Sequence, residues 1–200
     1  PVGIADCFKQ TLSSGPFSKK GRVEIYETPL DNLHIVTSSP ELADLQPKLE
    51  SKHKINKLCK LLDELDEDYD RIYLDTPPAL NFYTVSALIA ADRCLIPFDC
   101  DSFSRQALYG LLQEIEELRD DHNEDLQVEG IVVNQFQPRA SLPQQLLDEL
   151  VAEELPVLPV YLMSSVKMRE SHQACTPLIF LEPRHKLTQQ FVELHGLLES

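Results

Sequence analysis

The sequence lacks the features that mark several classes of protein. It contains no run of about 18 apolar residues, the length that a transmembrane helix requires. Its five cysteines are odd in number and none forms a C-x-x-C pair, so neither a disulfide framework nor a zinc or cluster site is indicated. The first residues show no charged-then-apolar signal pattern. We therefore expect a cytoplasmic protein with reduced thiols.

Basic side chains are scarce. The 200 residues carry 33 acidic and 18 basic side chains, which gives a formal net charge of −15. This balance excludes a surface that coats nucleic acid over a broad area, so any contact with DNA must come from a local basic cluster. The six histidines lack metal-ligand spacing and no G-x-S-x-G sequence is present, which argues against a histidine metal site and a serine hydrolase.

Apolar residues switch between helical and strand-like spacing along the chain. Helices are predicted at 4–12, after Pro40, and at 54–67, 81–91, 103–119, 142–153, 166–174 and 185–198; strands are predicted at 33–37, 71–75, 93–98, 128–134 and 156–161, with an irregular connection at 15–32. Short apolar strands that alternate with longer helices are typical of an α/β fold, a mostly parallel sheet covered by helices on both faces. We expect a single domain over 1–200, since no repeat or linker divides it.

The segment 71–80 joins an apolar, strand-like run to a carboxylate, Asp75, and then to a loop stiffened by Pro77 and Pro78. An aspartate at the end of a strand can hold Mg²⁺, usually through a water molecule, because this ion keeps much of its hydration shell. The alternative is a buried strand that happens to end in an aspartate at a turn.

Polar residues also follow the later predicted strands. Asp99 and Asn134 come at strand ends, as does the loop that begins at Pro159. Ligands of open α/β sheets bind beyond the carboxyl ends of the strands, so these residues could line one crevice together with Asp75. The amide of Asn134 offers donors and an acceptor, which suits the edge of a purine base, although an asparagine there can also cap a turn.

Four blocks of sequence stand out: LDTPPA at 74–79, VSALIAAD at 85–92, LIPFDCDSFS at 95–104 and GIVVNQFQPR at 130–139. As a series they resemble the ParA family, the partitioning ATPases of the ParA/MinD type with a deviant Walker A motif. Their order and spacing fit the family as well, and the resemblance extends over roughly residues 33–197. It implies a P-loop NTPase-like, three-layer α/β/α fold that binds ATP or ADP with Mg²⁺.

The resemblance also implies roles for individual residues. Asp75 would be the Walker B carboxylate that positions Mg²⁺ and its water shell, and the loop of Thr76, Pro77 and Pro78 would sense the γ-phosphate. The residues that would face the adenine lie on later elements and are Asn134 together with Pro159 and Tyr161 in the stretch 159–163.

ParA-type ATPases act as ATP-gated dimers that bind DNA without sequence preference, and a ParB-type centromere-binding partner stimulates hydrolysis. The resemblance therefore implies a nucleoid-associated homodimer that partitions chromosomes or plasmids. Its candidate DNA contacts are the clustered basic residues Arg139, Lys167, Arg169, Arg184 and Lys186, each of which could equally be a solvated surface charge. The tail from Leu187 is amphipathic but neutral or acidic on its polar face, so we expect no membrane binding.

One family motif is missing. No K-G-G-x-G-K-[ST] sequence occurs, and the six glycines are scattered. Without that loop no backbone amides cradle the phosphates and no lysine neutralises them, so we expect these residues alone to be inactive toward ATP. Either the chain begins after the first two strands of the family domain, as its first residue Pro1 favours, or it is a natural remnant that cannot hydrolyse ATP.

Two other functions stay open. The chain could be a non-enzymatic interaction protein that keeps the ParA-like fold without binding nucleotide. It could also be a ParA-related ATPase that positions another cargo.

Overall fold

A computed structural model of the protein describes residues 2–12 and 23–199. The chain forms two compact units, Pro1–Ala91 and Asp92–Ser200. Residues 15–22 of the predicted irregular connection lie outside the described residues.

The described part of the first unit is mainly helical. Its elements are α1 (Ile4–Leu12), β1 (Tyr26–Glu27), β2 (His34–Ile35), α2 (Glu41–Ser51), α3 (Lys57–Leu62) and α4 (Phe82–Ala90). The two short strands pair antiparallel. Helix α4 begins where the sequence predicts a helix, and Asn81 caps it: its side-chain oxygen accepts hydrogen bonds from the backbone N–H groups of Tyr83 at 3.0 Å and Thr84 at 3.2 Å.

The core of the first unit lies between α1, α2, α3 and α4. Leu49 on α2 is fully buried, and Phe8 on α1 packs edge-on against Phe82, with ring centroids 6.2 Å apart. Phe8 also packs edge-on against Tyr83 at 5.5 Å. The structure confirms the helices predicted at 4–12, after Pro40 and at 81–91. Their apolar residues recur at helical spacing in the sequence, which made these helices predictable.

The predicted strand at 71–75 is wrong. The structure assigns no strand to these residues, Tyr73 is 75% exposed, and of the five only Leu74 is partly buried against the core of this unit. A strand forms only where a neighbouring strand satisfies its backbone hydrogen bonds, and no described residue pairs with 71–75 in a sheet. The apolar run that suggested a buried strand therefore lies on an exposed connection.

Two more predictions in this unit are wrong in extent. The helix predicted at 54–67 is confined to α3, since the acidic residues after Leu62 form turns instead of continuing it. The strand predicted at 33–37 keeps only His34 and Ile35, because its partner strand β1 is itself two residues long.

The second unit contains a three-stranded parallel sheet with strand order β3-β4-β5. Its elements are β3 (Arg93–Asp99), α5 (Ser102–Asp121), β4 (Gln127–Phe136), α6 (Ser141–Ala152), β5 (Val157–Met163), α7 (Val166–Gln173), α8 (Leu178–Leu181) and α9 (Lys186–Leu198). The predicted order of strands and helices is confirmed here, with α8 as an additional single turn. Parallel pairing requires such crossover helices, because consecutive parallel strands cannot be joined by a tight turn.

The strands of this sheet are apolar where they are buried. Ile131 and Val133 on β4 are fully buried, as expected for the central strand of a covered parallel sheet. Val160 and Leu162 on β5 pack in one cluster with Leu187, which comes from α9. Helix α9 is therefore held to the sheet by its apolar side.

No helix in the described ranges combines the length and the apolar character needed to cross a membrane.

Candidate functional site

Asp75 lies on the exposed connection that precedes α4. Its side chain and those of Thr76, Pro77 and Pro78 are all exposed. The loop is tied to α4 by Thr84, whose Oγ1 donates a hydrogen bond to the Ala79 carbonyl oxygen at 2.7 Å and lies 3.4 Å from that of Pro77. The carboxylate is thus presented on a loop whose far end is fixed.

The surroundings of Asp75 limit what kind of metal site it could make. Within residues 2–12 and 23–199, the Asp75 side chain forms no hydrogen bond and no ion pair, and no group of three or more metal-ligating side chains occurs. A single free carboxylate fits Mg²⁺, which takes one or two carboxylates and fills its other positions with water or phosphate oxygens. Zinc or calcium would need more protein ligands than this.

A second polar group lies at the carboxyl ends of β3 and β4. Asp99 and Asn134 are register partners across the two strands. The Asn134 side-chain nitrogen donates to Asp99 Oδ1 at 3.1 Å, and that of Gln135 donates to Asp99 Oδ2 at 3.0 Å. Asp99 and Asn134 are both half-buried, so the group is reachable from solvent at the end of the sheet where ligands of such folds bind.

Asp101 and Cys100 follow Asp99 but have other roles. Asp101 caps α5 by accepting the backbone N–H groups of Ser104 and Phe103, both at 2.9 Å, and these bonds lower the pKa of its carboxyl. Burial, with the nearby carboxylates of Asp99 and Asp101, raises the pKa of the Cys100 thiol to about 11. A thiol held neutral in this way is a poor nucleophile.

The predicted base-side residues of β5 lie within the strand. The strand predicted at 156–161 is confirmed, but it runs on to Met163, so the prediction of a loop that begins at Pro159 is wrong. Pro159 is exposed, and the ring of Tyr161 packs on Phe136 with centroids 5.2 Å apart.

The basic candidates differ in their surroundings. Lys167 is neutralised, because its amine lies 2.8 Å from Glu170 and 2.9 Å from Glu182, and these carboxylates raise its pKa. The other four make no ion pair within the described ranges and are exposed: Arg139, Arg169, Arg184 and Lys186.

The structure brings the starts of α7 and α9 together. Lys167, in the first turn of α7, pairs with Glu182 just ahead of α9, and Ser165 lies 3.5 Å from the ring of His185. Arg184 and Lys186, which flank His185, therefore come near the start of α7. Arg139 lies on the connection that follows β4.

Sequence reasoning missed a polar network between α5 and α6. Arg105 forms ion pairs with Glu149 and, at 2.8 Å, with Glu153, and the Tyr109 hydroxyl donates to Glu153 at 2.5 Å. The i, i+4 spacing of Arg105 with Tyr109 and of the two glutamates was the available signal. This spacing places the two residues of each pair on one face of their own helix, but it does not show which helices pack together.

It also missed an apolar groove of about 970 Å³ among α7, α8 and α9. The groove is lined by Met168, Leu178, Ile179, Phe191 and Val192, among others. The short helix α8 that completes it has no periodicity long enough to be recognised in sequence.

Known proteins match much of the chain. A family model described as an AAA domain matches residues 10–128, more than half of the chain. The chromosome partitioning protein ParA of Myxococcus xanthus is 28% identical over 172 residues, which cover 85% of this chain and 61% of that protein. The sporulation initiation inhibitor protein Soj of Bacillus subtilis is 26% identical over 172 residues, 85% of this chain and 68% of that protein. The chain thus spans about three fifths of the length of the Myxococcus relative.

Solved structures agree with the fold. The apo structure of McdA from Cyanothece superposes with a TM-score of 0.81 and 19% identity, over 98% of this chain and 77% of that one. Cobyrinic acid a,c-diamide synthase from Mycobacterium smegmatis, with a bound ATP analog and magnesium, gives a TM-score of 0.70 and 22% identity, over 82% of this chain and 65% of that one.

The parallel sheet and these likenesses show a P-loop NTPase-like α/β fold, which confirms the predicted fold class. The chain belongs to the AAA domain family and is a ParA-like member of it, as the resemblance predicts.

Proposed function

We propose that the complete protein is an ATPase that partitions chromosomes or plasmids. The observation that carries this is the match to ParA and Soj over 85% of the chain, which includes the Asp75 loop and the Asp99 and Asn134 strand ends. ATP and Mg²⁺ are the proposed ligands, since the cobyrinic acid a,c-diamide synthase structure holds an ATP analog and magnesium.

Each residue of the loop would have its own role. Asp75 would hold the water shell of a magnesium ion, and the loop of Thr76, Pro77 and Pro78 would contact the γ-phosphate. The ion would supply positive charge next to that phosphate. The Thr84 hydrogen bond to Ala79 supports the mechanism, because it fixes one end of the loop that carries the carboxylate.

The proposed contacts of the adenine base are all residues of the second unit. Asn134 reads its edge, and Pro159 and Tyr161 contribute to its surroundings. Half-burial of Asn134 at the carboxyl end of β4 supports this placement, because a base can reach the amide there.

ATP binding gates a homodimer that binds DNA without sequence preference at the nucleoid, and a ParB-type partner stimulates hydrolysis. The exposed basic side chains that make no ion pair in the described ranges contact the DNA. Among them, Arg184 and Lys186 lie near the start of α7, and Arg169 lies on that helix. Lys167 contributes less, because two carboxylates already compensate its charge. A few basic side chains are enough to track phosphates on an otherwise acidic protein.

These 200 residues alone do not turn over ATP in this proposal, because they contain no K-G-G-x-G-K-[ST] sequence. Steady-state assays of the chain with ATP and Mg²⁺ should show no saturable phosphate release. Saturable turnover by this chain would contradict the proposed dependence on a phosphate loop outside it.

A second candidate is an interaction protein that keeps the fold and binds no nucleotide. The exposed 71–75 segment favours it, because it joins no sheet in the described residues, whereas ligands of open α/β sheets bind beyond the carboxyl ends of strands. Equilibrium binding of a fluorescent ATP analogue to the complete protein separates the two functions. A gel shift on nonspecific DNA with and without ATP separates partitioning from the positioning of another cargo.

A further inference from the structure

Asp99 is the acceptor for two side-chain amides at the carboxyl ends of β3 and β4. Asn134 Nδ2 donates to one carboxylate oxygen at 3.1 Å and Gln135 Nε2 to the other at 3.0 Å. The bond to Asn134 joins register partners on adjacent strands, so it lies at a fixed level of the sheet.

This contact fixes which way the Asn134 amide faces. An ionised carboxylate only accepts hydrogen bonds, so the Asn134 atom that faces Asp99 must be the NH₂ nitrogen. The carbonyl oxygen of that amide is therefore turned away from Asp99, and one N–H of the nitrogen stays available. Asn134 can then offer a ligand one acceptor and one donor side by side, in a single orientation.

Gln135 shows that the local backbone is shaped for this arrangement. Its φ is 50°, in the left-handed region that non-glycine residues seldom occupy. With this backbone conformation the side-chain amide of Gln135 reaches the second oxygen of Asp99, so both carboxylate oxygens accept a hydrogen bond. With its second oxygen engaged, the carboxylate cannot turn freely away from Asn134.

We propose that Asp99 is a positioning residue that makes the site select adenine over guanine through Asn134. An amide that presents an oxygen and an N–H matches the amino group and N7 of adenine. The same oxygen would face the carbonyl oxygen of guanine, where two acceptors oppose each other. This inference rests on the proposed nucleotide-binding function.

The test compares ATP and GTP affinity in the complete protein. Asp99→Asn is nearly isosteric, but its amide can donate as well as accept, so it permits both orientations of Asn134. The ratio of the Kd for GTP to the Kd for ATP should fall by about tenfold, the scale of discrimination by one bidentate pair. Asp92→Asn is the matched control, because Asp92 is exposed just before the opposite end of β3, and it should leave the ratio unchanged.

A double variant separates positioning from a merely structural role. In an Asn134→Ala background the orientation no longer matters, so Asp99→Asn should change the ratio no further. Equal ratios in Asp99→Asn and the Asp92→Asn control would overturn the assignment of Asp99 while the proposed function stands. If Asp99→Asn fails to fold, Asn134→Ala alone must lower the ratio, and an unchanged ratio there overturns the inference as well. A wild-type protein that binds neither nucleotide refutes the proposed function itself, and the selectivity with it.

Discussion

Thr84 holds the Asp75 loop to α4, and removing its hydroxyl should loosen that loop. The side chain is 9% exposed, and its Oγ1 donates to the Ala79 carbonyl oxygen at 2.7 Å. That oxygen also accepts the backbone N–H of Asn81 at 2.9 Å. Thr84→Val keeps the branched shape of the side chain and removes only the donor.

The expected loss in the free energy of unfolding is about 1 kcal/mol, the net value of one hydrogen bond. The 3.4 Å approach to the Pro77 carbonyl is too long to add much. Ala79 is exposed, so water can replace the lost donor and the larger penalty for an unpaired buried acceptor does not apply.

Thr84→Ser is the matched control, since it keeps the hydroxyl and loses a methyl group worth about 0.8 kcal/mol when buried. The two variants should therefore have similar urea midpoints and differ in the loop. Hydrogen exchange measured by mass spectrometry on a peptide spanning 71–81 should be faster in Thr84→Val and unchanged in Thr84→Ser. Equal exchange in both variants would refute the role given to the hydroxyl.

Two further predictions concern the second unit. A Cβ on Gly130 would lie 2.6 Å from the Leu158 side chain, so Gly130→Ala should destabilise by about 1–3 kcal/mol in urea unfolding. Gly110→Ala has open space on a helix and should stabilise by about 0.5–1 kcal/mol, and the reverse order of the two variants would contradict the packing described. The raised pKa keeps the Cys100 thiol protonated below about pH 11, so mass mapping of alkylation at pH 8 should find it slower than the exposed Cys175. Its rate should climb as the pH approaches 11, and fast labelling at pH 8 would show that it is not shielded.

The sheet of the second unit was predictable because each strand carries its own signal. The run from Ile131 to Val133 is β-branched and apolar, and helices with clear periodicity separate it from the neighbouring strands. Buried parallel strands need no information from distant residues to be recognised as apolar runs.

The segment at 71–75 carries a similar signal and is not a strand. A local pattern shows that a residue such as Ile72 is apolar, but pairing depends on which other residues come alongside. The sequence also predicts Asp99 and Asn134 at the ends of strands, and residues at the carboxyl ends of such strands are expected to line one crevice. It could not show that they bond to each other, because that depends on the register between β3 and β4.

The central claim is that Asp75 serves ATP hydrolysis, and the complete protein provides its most direct test. Asp75→Ala should abolish the release of phosphate from ATP in the presence of Mg²⁺, because the residue that orders the metal's water shell is lost. Asp70→Ala, which removes another exposed carboxylate five residues earlier, should leave turnover unchanged. Hydrolysis that persists at the wild-type rate in Asp75→Ala would contradict the account.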